Sequence, residues 1–488
     1  MNILFVSSEV SPFSTSGGMG AVCGALSTAL ARRGHRVAVV SPGYSGIEAD
    51  DSGESFDVLL AGSHQTVRFS QAEHQGVHHL FVEHPWFRRS GLYGDANGEF
   101  GDNHLRFALL SRGAIEAARR VPVGNTPLGE EVLFHVHDWQ TALVPCYLEG
   151  LYRPVGLFPG ASTVLTIHNL AHQGRFGPEV FNDLELPPRW FTPWALECFD
   201  DLNLLKGGLL HANQLTTVSP TFAWEITTPN GGFGLDPILR FRQKVLTGIR
   251  NGIDTDEWDP STDPQLPAHY GPADFSNKLV CKSTLQNQLG LDQDADSPLI
   301  GSVGRLDPQK GVELLIESVP WFVQQGAQLA ILGSAAAVHR HYEHQLRQLA
   351  DAYPGRVAVH FGFSDQLAHR IHAGADLFSM PSHFEPCGLN QLYSLRYGTL
   401  PVVRSTGGLA DSVTPFDPHQ NIGTGWRFEE YTGSAYRWAF FNALYTWREH
   451  REAFAATQRR AMEVDVSWDA AVPHYEAVYE RAIARSER

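Results

Sequence analysis

The chain has 488 residues, of which 43% are hydrophobic and 18% are charged. At about 150 residues per domain this length predicts two or three domains, most simply two large ones, and the ordinary globular balance excludes disorder, collagen and coiled coil as the main architecture. Lys and Arg number 37 and Asp and Glu 53, which gives a net charge of −16. A chain this acidic binds phosphate backbones poorly, so nucleic acid is not an expected partner.

The first half of the chain begins with an apolar strand, Asn2–Val6, then a loop rich in Ser, Pro and Gly. The apolar spacing of Met19–Arg33 predicts a helix, and Arg36–Val40 is again strand-like. Strand, loop, helix and strand in this order imply a parallel sheet with a right-handed crossover. The pattern continues with predicted strands Val132–Val136, Thr163–Ile167 and Gln214–Val218 and with helical stretches Asn103–Arg119 and Thr141–Gly150.

The second half repeats this architecture. Its predicted strands are Leu299–Val303, Gln328–Leu332, Val357–Phe361, Leu377–Met380 and Leu400–Val403, and its clearest helices are Gly311–Val323 and His341–Asp351. Both halves therefore read as doubly wound α/β domains that meet near the polar stretch Asn251–Pro260. A last helical stretch, Trp468–Arg485, has no strand after it, and it either closes the second domain or returns to the first.

The cysteines and the N-terminus indicate a cytoplasmic protein. Five cysteines are scattered along the chain without a C-x-x-C, so a disulfide framework or zinc cluster is not expected. Met1–Val6 lacks a basic region and reads as a strand, not as a signal peptide. No apolar run approaches the ~20 residues that span a bilayer, so we expect no membrane partner.

Two Gly-Gly loops follow predicted strands, one in each half. Ser14–Gly18 (S-T-S-G-G) and Thr406–Asp411 (T-G-G-L-A-D) each lead into a helix. Free amides at a helix N-terminus and glycines together let a phosphate or sugar approach the backbone closely. Such a loop in each domain favours a ligand in a cleft between them, although tight turns arising by coincidence are a rival explanation with 46 glycines available.

Charged residues at the ends of strands in the second half suggest a site for an anionic ligand. Arg305 and Lys310 follow a predicted strand, where ligands bind in open α/β sheets, and two cations there would neutralise a diphosphate leaving group. Glu385 lies in the block Pro381–Leu392, close to the backbone amides before the next helix. The plainer alternatives are that Arg305 and Lys310 are a solvated surface pair, that Glu385 caps a helix, and that Cys387 is a small buried apolar residue.

His137 and His168 both follow predicted strands of the first half, as candidate sugar contacts or proton donors or as structural histidines. Metal sites and hydrolase motifs find no support. The D-x-D at Asp254–Asp256 lies in the expected hinge, and the acidic run Asp292–Asp296 lacks the glycine and the final carboxylate of a calcium loop. No G-x-S-x-G follows a strand and no H-E-x-x-H occurs.

Longer motifs are shared with a known family. They are S-S-E at Ser7–Glu9, D-N-H-L-R-F at Asp102–Phe107, H-D-W-Q at His137–Gln140, T-I-H-N-L-A-H-Q-G at Thr166–Gly174, L-L-K-G-G at Leu204–Gly208, V-S-P-T at Val218–Thr221, N-G-I-D at Asn251–Asp254, G-R-L-D-P-Q-K-G at Gly304–Gly311, F-E-P-C-G-L-N-Q-L-Y at Phe384–Tyr393 and Y-G-T-L-P-V-V-R-S-T-G-G-L-A-D at Tyr397–Asp411. Over nearly its whole length the chain resembles the bacterial glycogen synthases and plant starch synthases, retaining glucosyltransferases of family 5.

The resemblance implies a GT-B fold of two Rossmann-like domains with a cleft between them. It places an acceptor-side domain at 1–254, a nucleotide-sugar domain at 255–464 and a helix at 465–488 that returns to the first domain. It also implies transfer of glucose from ADP-glucose to the non-reducing end of an α-1,4-glucan such as glycogen or maltodextrin, with no metal and no cofactor.

The resemblance also assigns roles by position. Its catalytic residues would be Glu385, His137, Arg305 and Lys310. Its donor-binding positions would be Thr15, Gly17, Gly18, Asn251, Phe363 (stacking on the base), Cys387, Gly388, Leu389, Asn390, Thr406, Gly407 and Gly408. On the acceptor side it would use Glu9, Asp102, Asn103 and His168.

One departure concerns the N-terminal signature K-x-G-G-L-A-D, in which Thr15 replaces the lysine and Ala21 the aspartate. A lysine near phosphate makes a strong charge-assisted contact, so its loss predicts weaker donor binding or a different donor. Two alternatives follow: the same fold and acceptor with another donor such as UDP-glucose, or a weakly active or inactive glucan-binding homologue.

Overall fold

The computed structural model describes residues 1–95, 98–420 and 422–486, and these form two compact units. The first unit comprises Met1–Ile249 together with the C-terminal segment from Trp468, and the second comprises Arg250–Ser467. The chain therefore leaves the first unit, builds the second without interruption, and then returns to complete the first.

The first unit is built on a sheet of nine strands among the described residues. In spatial order they are Leu246–Gly248, Gln214–Thr217, Ser162–Ile167, Leu133–His137, Asn2–Val6, Arg36–Pro42, Val77–Glu83, Ser63–His74 and Asp50–Leu60. The first seven strands are parallel, and the last two add antiparallel to one edge. Three short strands form a separate antiparallel sheet: Arg175–Phe176, Asp201–Asn203 and Glu197–Cys198. Gly94–Asp95 pairs with Gly98–Glu99.

The helices of the first unit cover the parallel sheet. They are Gly18–Arg32, Asn103–Arg120, Asp138–Thr141, Leu143–Tyr147, Leu204–His211, Pro220–Glu225, Asp236–Phe241 and Trp468–Ser486. The last helix shares one apolar cluster with Gly18–Arg32, through fully buried side chains that include Tyr475 and Tyr479. Glu476 on this helix also pairs with Arg33 at 2.7 Å and with His35 at 2.9 Å.

The second unit contains a six-stranded sheet in which all strands are parallel. In spatial order they are Val357–Phe361, Gln328–Ser334, Leu299–Arg305, Leu377–Met380, Leu400–Arg404 and Trp426–Phe428. Adjacent side chains enter different apolar clusters, as Leu299 and Ile300 do, so both faces of the sheet are buried. The helices are Lys278–Leu289, Val312–Gln324, Arg340–Ala352, Asp365–Gly374, Asn390–Arg396, Gly407–Ser412, Gly433–Glu449 and Arg451–Met462.

The predicted α/β class is confirmed, and several strands have the predicted bounds, among them Val357–Phe361 and Leu377–Met380. The predicted helix Thr141–Gly150 is divided into Leu143–Tyr147 and a wider turn, Leu148–Tyr152. The antiparallel edge hairpin Asp50–Leu60 and Ser63–His74 was not predicted. Its signal was present as alternating apolar residues in the first of these strands, where Phe56, Val58 and Leu60 are buried between exposed neighbours. No helix among the described residues combines the length and apolar character required to cross a bilayer.

A buried lysine ties three segments of the second unit together. The ammonium of Lys278 donates to the carbonyl oxygens of Ala373 at 2.8 Å and Tyr397 at 3.0 Å, and to the hydroxyl of Thr399 at 2.6 Å. Burial lowers the pKa of Lys278 to about 7. The side chain therefore satisfies carbonyls that secondary structure leaves unpaired, and it does so with or without its charge.

We predict that Lys278→Met destabilises the protein by about 1–3 kcal/mol, because the Thr399 hydroxyl loses its donor and the carbonyls of Ala373 and Tyr397 keep only the Tyr270 hydroxyl. The pKa in the folded protein, about 7, lies below that of the unfolded chain, about 10.4. Between these values the unfolded chain binds the extra proton, so this lysine adds stability as the pH rises. Urea unfolding midpoints of wild type and variant should therefore separate further at pH 9 than at pH 7. Lys244→Met, at an exposed position, is the control, and a gap that narrows with pH would contradict the prediction.

Candidate active site

The parallel strands of the first unit bring polar residues to one edge of its sheet. His137 ends the strand Leu133–His137, Glu9 follows Asn2–Val6, and His168 follows Ser162–Ile167. These three strands are neighbours in the sheet, with Phe5 beside His135 and Val136 beside Leu165. The carboxyl ends of parallel strands are where ligands bind in such folds, so the three residues occupy the expected edge.

Glu9 fixes the glycine loop before the first helix. Its buried carboxylate accepts hydrogen bonds from the hydroxyl of Ser16 at 2.7 Å and from the amides of Ser16 at 2.5 Å and Gly17 at 3.2 Å. The hydroxyl of Tyr93 also donates to Glu9. Thr15, Gly17 and Gly18 are exposed on the loop that these bonds hold. Glu9 therefore acts on this loop through its backbone, a role that the sequence did not predict.

Asp102 and Asn103 belong to a neighbouring network. Asp102 forms a two-point ion pair with Arg89, one contact being 2.7 Å, and this pairing lowers the pKa of Asp102 against the opposing effect of burial. Asn103 is buried; it donates to the carbonyl of Tyr93 at 2.9 Å and accepts from Arg106 at 2.7 Å. Both side chains are thus engaged in positioning the segment that carries Tyr93.

His137 and His168 contact each other, with Nδ1 of His137 3.0 Å from Nε2 of His168. Burial lowers the pKa of both rings, that of His168 to about 3, so both are neutral at pH 7. Among the described residues, Nε2 of His137 has no hydrogen-bond partner although it is buried. A buried imidazole nitrogen without a partner is a group that a ligand hydroxyl would satisfy.

His137 is also supported by its sequence neighbours His135 and Asp138. The ring of His135 packs at a tilt of 38° against that of His137, with ring centroids 4.3 Å apart, and the hydroxyl of Tyr479, on the last helix, lies 2.8 Å from Nδ1 of His135. Nε2 of His135 is 2.6 Å from the hydroxyl of Thr166. The residue after His137, Asp138, accepts from the amide of His168 at 2.7 Å, and burial raises its pKa to about 7.

In the second unit, Lys310 and Glu385 form an ion pair. The ammonium of Lys310 is 2.7 Å from the carboxylate of Glu385, which also accepts from the hydroxyl of Ser382 at 3.0 Å. Glu385 is buried and Lys310 is partly exposed. Arg305, at the end of the strand Leu299–Arg305, has a side chain that is 59% exposed and contacts Asp307 at 3.4 Å. Residues 305 and 310 therefore place two cations at one edge of the sheet.

Gly407 and Gly408 pack against the backbone of the Glu385 loop. A Cβ on Gly407 would lie 2.0 Å from the carbonyl oxygen of Glu385, and one on Gly408 would lie 2.2 Å from that of Cys387. The amide of Gly408 donates to the carbonyl of Glu385 at 3.1 Å. Gly407 also has a positive φ of 43°, so only glycine suits this approach. The predicted second Gly-Gly loop, which begins at Thr406, therefore meets the Glu385 block directly.

The other predicted donor positions differ in character. Cys387 is buried, and burial raises the pKa of its thiol to about 12. Asn251 is also buried, and its side-chain oxygen has no hydrogen-bond partner in the described part of the chain. Phe363 is 92% exposed and free to stack. Gly388, with φ of 72°, and Leu389 precede the helix Asn390–Arg396, and the Asn390 side chain donates to the carbonyl of Val303 at 2.9 Å.

The structure thus assembles two groups, one in each unit. Glu9, the glycine loop, His137 and His168 share the edge of the first sheet, while Arg305, Lys310, Glu385 and the glycine pair Gly407–Gly408 share that of the second. Two functional contacts were not predicted from sequence: Tyr93 donates to Glu9, and Ser382 donates to Glu385. Ser382 lies three residues before Glu385 and could have been found from that spacing, whereas Tyr93 is 84 residues from Glu9 and carries no local signal.

Comparison with known proteins identifies the family. The family described as "Starch synthase catalytic domain" matches residues 2–241, and "Glycosyl transferases group 1" matches residues 286–460. The chain is 43% identical to soluble starch synthase 1 of Solanum tuberosum, over 98% of this chain and 78% of that protein. It is 46% identical to a glycogen synthase of Anaeromyxobacter sp. (strain Fw109-5), over 98% of this chain and 99% of that protein.

The chain belongs to the starch and glycogen synthase family. It is a glycosyltransferase, and its fold is of the GT-B type. The catalytic domain of starch synthase IV from Arabidopsis thaliana, bound to ADP and acarbose, matches with a TM-score of 0.90 and 32% identity, covering 99% of both chains. A sucrose-phosphate synthase from Thermosynechococcus elongatus, 16% identical with a TM-score of 0.62, shares the fold. The predictions of family and fold class are confirmed.

We predict that Gly408→Ala in this transferase displaces the Glu385 loop. The added Cβ meets backbone, which cannot turn aside as a side chain can, so we expect a loss of about 1–3 kcal/mol in stability and a large loss of transferase activity. Gly271→Ala is the matched control, because its Cβ would enter open space and its φ is not positive. Thermal melts and glucosyl incorporation measure the two effects, and an active, stable Gly408→Ala would contradict the packing argument.

Proposed function

We propose that this enzyme transfers glucose from ADP-glucose to the non-reducing end of an α-1,4-glucan, with retention of configuration. The observation that carries the proposal is the Lys310–Glu385 pair at 2.7 Å beside the exposed guanidinium of Arg305. It is supported by the similarity to a starch synthase IV domain bound to ADP and acarbose.

Arg305 and Lys310 would stabilise the departing diphosphate. The chain carries a net charge of −16, so its overall field repels an anionic donor, and attraction must come from cations at fixed positions. Arg305 has an exposed side chain, and Lys310 reaches Glu385 from a short turn, so both can turn toward phosphate oxygens. Together with the amides before Asn390, they would supply the charge stabilisation that a metal ion provides elsewhere. We infer that no metal and no cofactor take part.

Glu385 and His137 would position the glucosyl group, as their proposed family roles imply. When Lys310 turns to the diphosphate, the buried carboxylate of Glu385 is left to accept from sugar hydroxyls. His137 is neutral because burial lowers its pKa, and its Nε2 lacks a partner among the described residues. We therefore assign His137 a hydrogen bond to the sugar in preference to proton donation. Fixing the ring by such contacts favours front-face attack by the acceptor hydroxyl.

The N-terminal loop favours a second candidate, in which the acceptor is the same and the donor is another nucleotide sugar such as UDP-glucose. Thr15 is exposed on a loop that Glu9 holds in place, so a lysine there would extend into solvent and toward an anionic ligand. Thr15 lacks that cation, and Ala21 lacks the acid of the family signature. A glucan-binding homologue without turnover is the third candidate, against which Arg305, Lys310 and Glu385 argue.

We place the reaction in the cytoplasm. All five cysteines are free thiols, which suits a reducing compartment. The glycogen synthase of Anaeromyxobacter is a bacterial relative, whereas the plant relatives are named as chloroplastic or amyloplastic.

Labelled ADP-glucose, UDP-glucose and GDP-glucose, each with glycogen, test the proposal directly. We expect incorporation from ADP-glucose, and kcat/KM for that donor should exceed the others by at least about tenfold, which is 1.4 kcal/mol. A preference for UDP-glucose would support the second candidate. No incorporation from any donor, while a control synthase is active in the same assay, would contradict both.

We predict that Lys310→Met lowers kcat by about 10²–10³-fold, the usual cost of removing one donor from developing negative charge. The variant should still bind glucan, because the proposed acceptor residues lie in the first unit. The control is Lys244→Met, which removes an exposed charge outside both groups. Initial rates at saturating donor measure the effect, and a change confined to KM would show that Lys310 acts in binding alone.

We predict that Thr15→Lys strengthens donor binding by about 1.5–3 kcal/mol, the range for a hydrogen bond to a charged group. This corresponds to a KM for ADP-glucose roughly 10- to 100-fold lower. Thr15→Met is the control for side-chain length without charge. If both variants behave like wild type, the missing lysine is not what limits donor affinity.

A further inference from the structure

Cys23 lies beside the two histidines of the first unit. A sulfur from Cys23 and one nitrogen each from His137 and His168 lie within 4.8 Å of one another. The thiol is fully buried on the helix Gly18–Arg32 and donates to the hydroxyl of Ser7 at 3.3 Å. None of the catalytic roles proposed above uses this thiol.

The separations suit a tetrahedral metal ion. With zinc–nitrogen bonds of 2.0–2.1 Å, two imidazole ligands lie about 3.3 Å apart, and a thiolate sulfur lies about 3.6 Å from each nitrogen. The nitrogens of His137 and His168 are already 3.0 Å apart. The backbone at 23, 137 and 168 belongs to or adjoins regular elements of one unit, so a shift of about 1 Å by the cysteine side chain completes the set.

The donor types and the surrounding charges favour zinc. One thiolate and two imidazoles form a mixed sulfur and nitrogen set, which suits zinc better than the oxygen-seeking Mg²⁺ or Ca²⁺. The carboxylates of Glu9 and Asp138 lie close enough to Cys23 to act on its charge. They oppose a bare thiolate, but they would attract a divalent cation bound at the same place.

We propose that Cys23, His137 and His168 form a zinc site, and that zinc bound there inhibits the transferase. On binding, the Cys23 thiol releases its proton to solvent, the sulfur forms one bond to Zn²⁺, each imidazole contributes one nitrogen lone pair, and a water completes the fourth position. The hydrogen bond between the two histidines is replaced by bonds to the ion, and the ring that donated it carries its proton on its other nitrogen instead. The inhibitory part rests on the proposed role of His137, since a ring that zinc holds through Nδ1 is fixed by the geometry of the ion and can no longer adjust its Nε2 to the sugar.

Cobalt tests the site independently of activity. Co²⁺ added to the intact protein should give the visible absorption of a tetrahedral ion and a thiolate-to-cobalt charge-transfer band at a stoichiometry of one, and Zn²⁺ should abolish both. Cys23→Ala should lose the charge-transfer band. Cys146→Ala should keep it, because Cys146 is an equally buried thiol whose neighbour is the carbonyl of Ala142. No such band in wild type, or an undiminished band in Cys23→Ala, would overturn the site.

Activity tests the inhibition. Zn²⁺ should suppress glucosyl transfer by wild type and Cys146→Ala, and a chelator should restore it. Cys23→Ala and Cys23→Ser should keep the basal rate and require at least tenfold more zinc for half inhibition. Cobalt binding without zinc inhibition would overturn the inhibitory half of the proposal. A protein inactive with every donor would overturn the proposed function instead, and the cobalt spectra would still decide the zinc site.

Discussion

The backbone of Gly407 and Gly408 lies against that of Glu385 and Cys387 with no space for a side chain between them. This contact sets the position of Glu385, because the amide of Gly408 donates a hydrogen bond to the backbone carbonyl of Glu385. The Glu385 loop in turn determines where Lys310 finds its partner. The absence of side chains at Gly407 and Gly408 thus lets two backbone segments pack closely and makes the Glu385 loop rigid. This rigidity also limits the movement of the charged groups that the loop carries or contacts.

Each unit contains a buried glutamate, Glu9 or Glu385, whose carboxylate already has hydrogen-bonding partners without substrate. The carboxylate of Glu9 accepts hydrogen bonds from amides and hydroxyls, whereas that of Glu385 is paired with an ammonium and a hydroxyl. The difference has a functional meaning: amides cannot leave, so Glu9 is a fixed support for its loop, whereas the ammonium of Lys310 sits on a flexible stem. An ion pair with one mobile member can exchange partners when a diphosphate arrives, provided that sugar hydroxyls replace the ammonium at the buried carboxylate.

Much of the fold and of the candidate site was predictable from the sequence where the signal lay in neighbouring residues. The strand Leu377–Met380 is buried on both faces and was placed correctly from its short apolar run. The strand Val357–Phe361 lies at the edge of its sheet and was placed correctly from its valine and phenylalanine residues. Arg305 and Glu385 followed from their places after such strands. The hydrogen bond between Tyr479 and His135 was not predictable, because the residues are 344 positions apart and neither carries a local signal for it. Asn390 shows that a shared motif does not reveal the contacts of a side chain, because its amide group donates to the carbonyl of Val303.

The return of the last helix to the first unit has a consequence for how the protein is made. Residues Arg250–Ser467 form one uninterrupted unit, so that part can complete its fold as soon as it has left the ribosome. The first unit is begun earlier but is finished later, because Tyr475 and Tyr479 supply fully buried side chains to its core and a partner to His135. The portion synthesised first must therefore wait, with one apolar face uncovered, for the final residues of the chain.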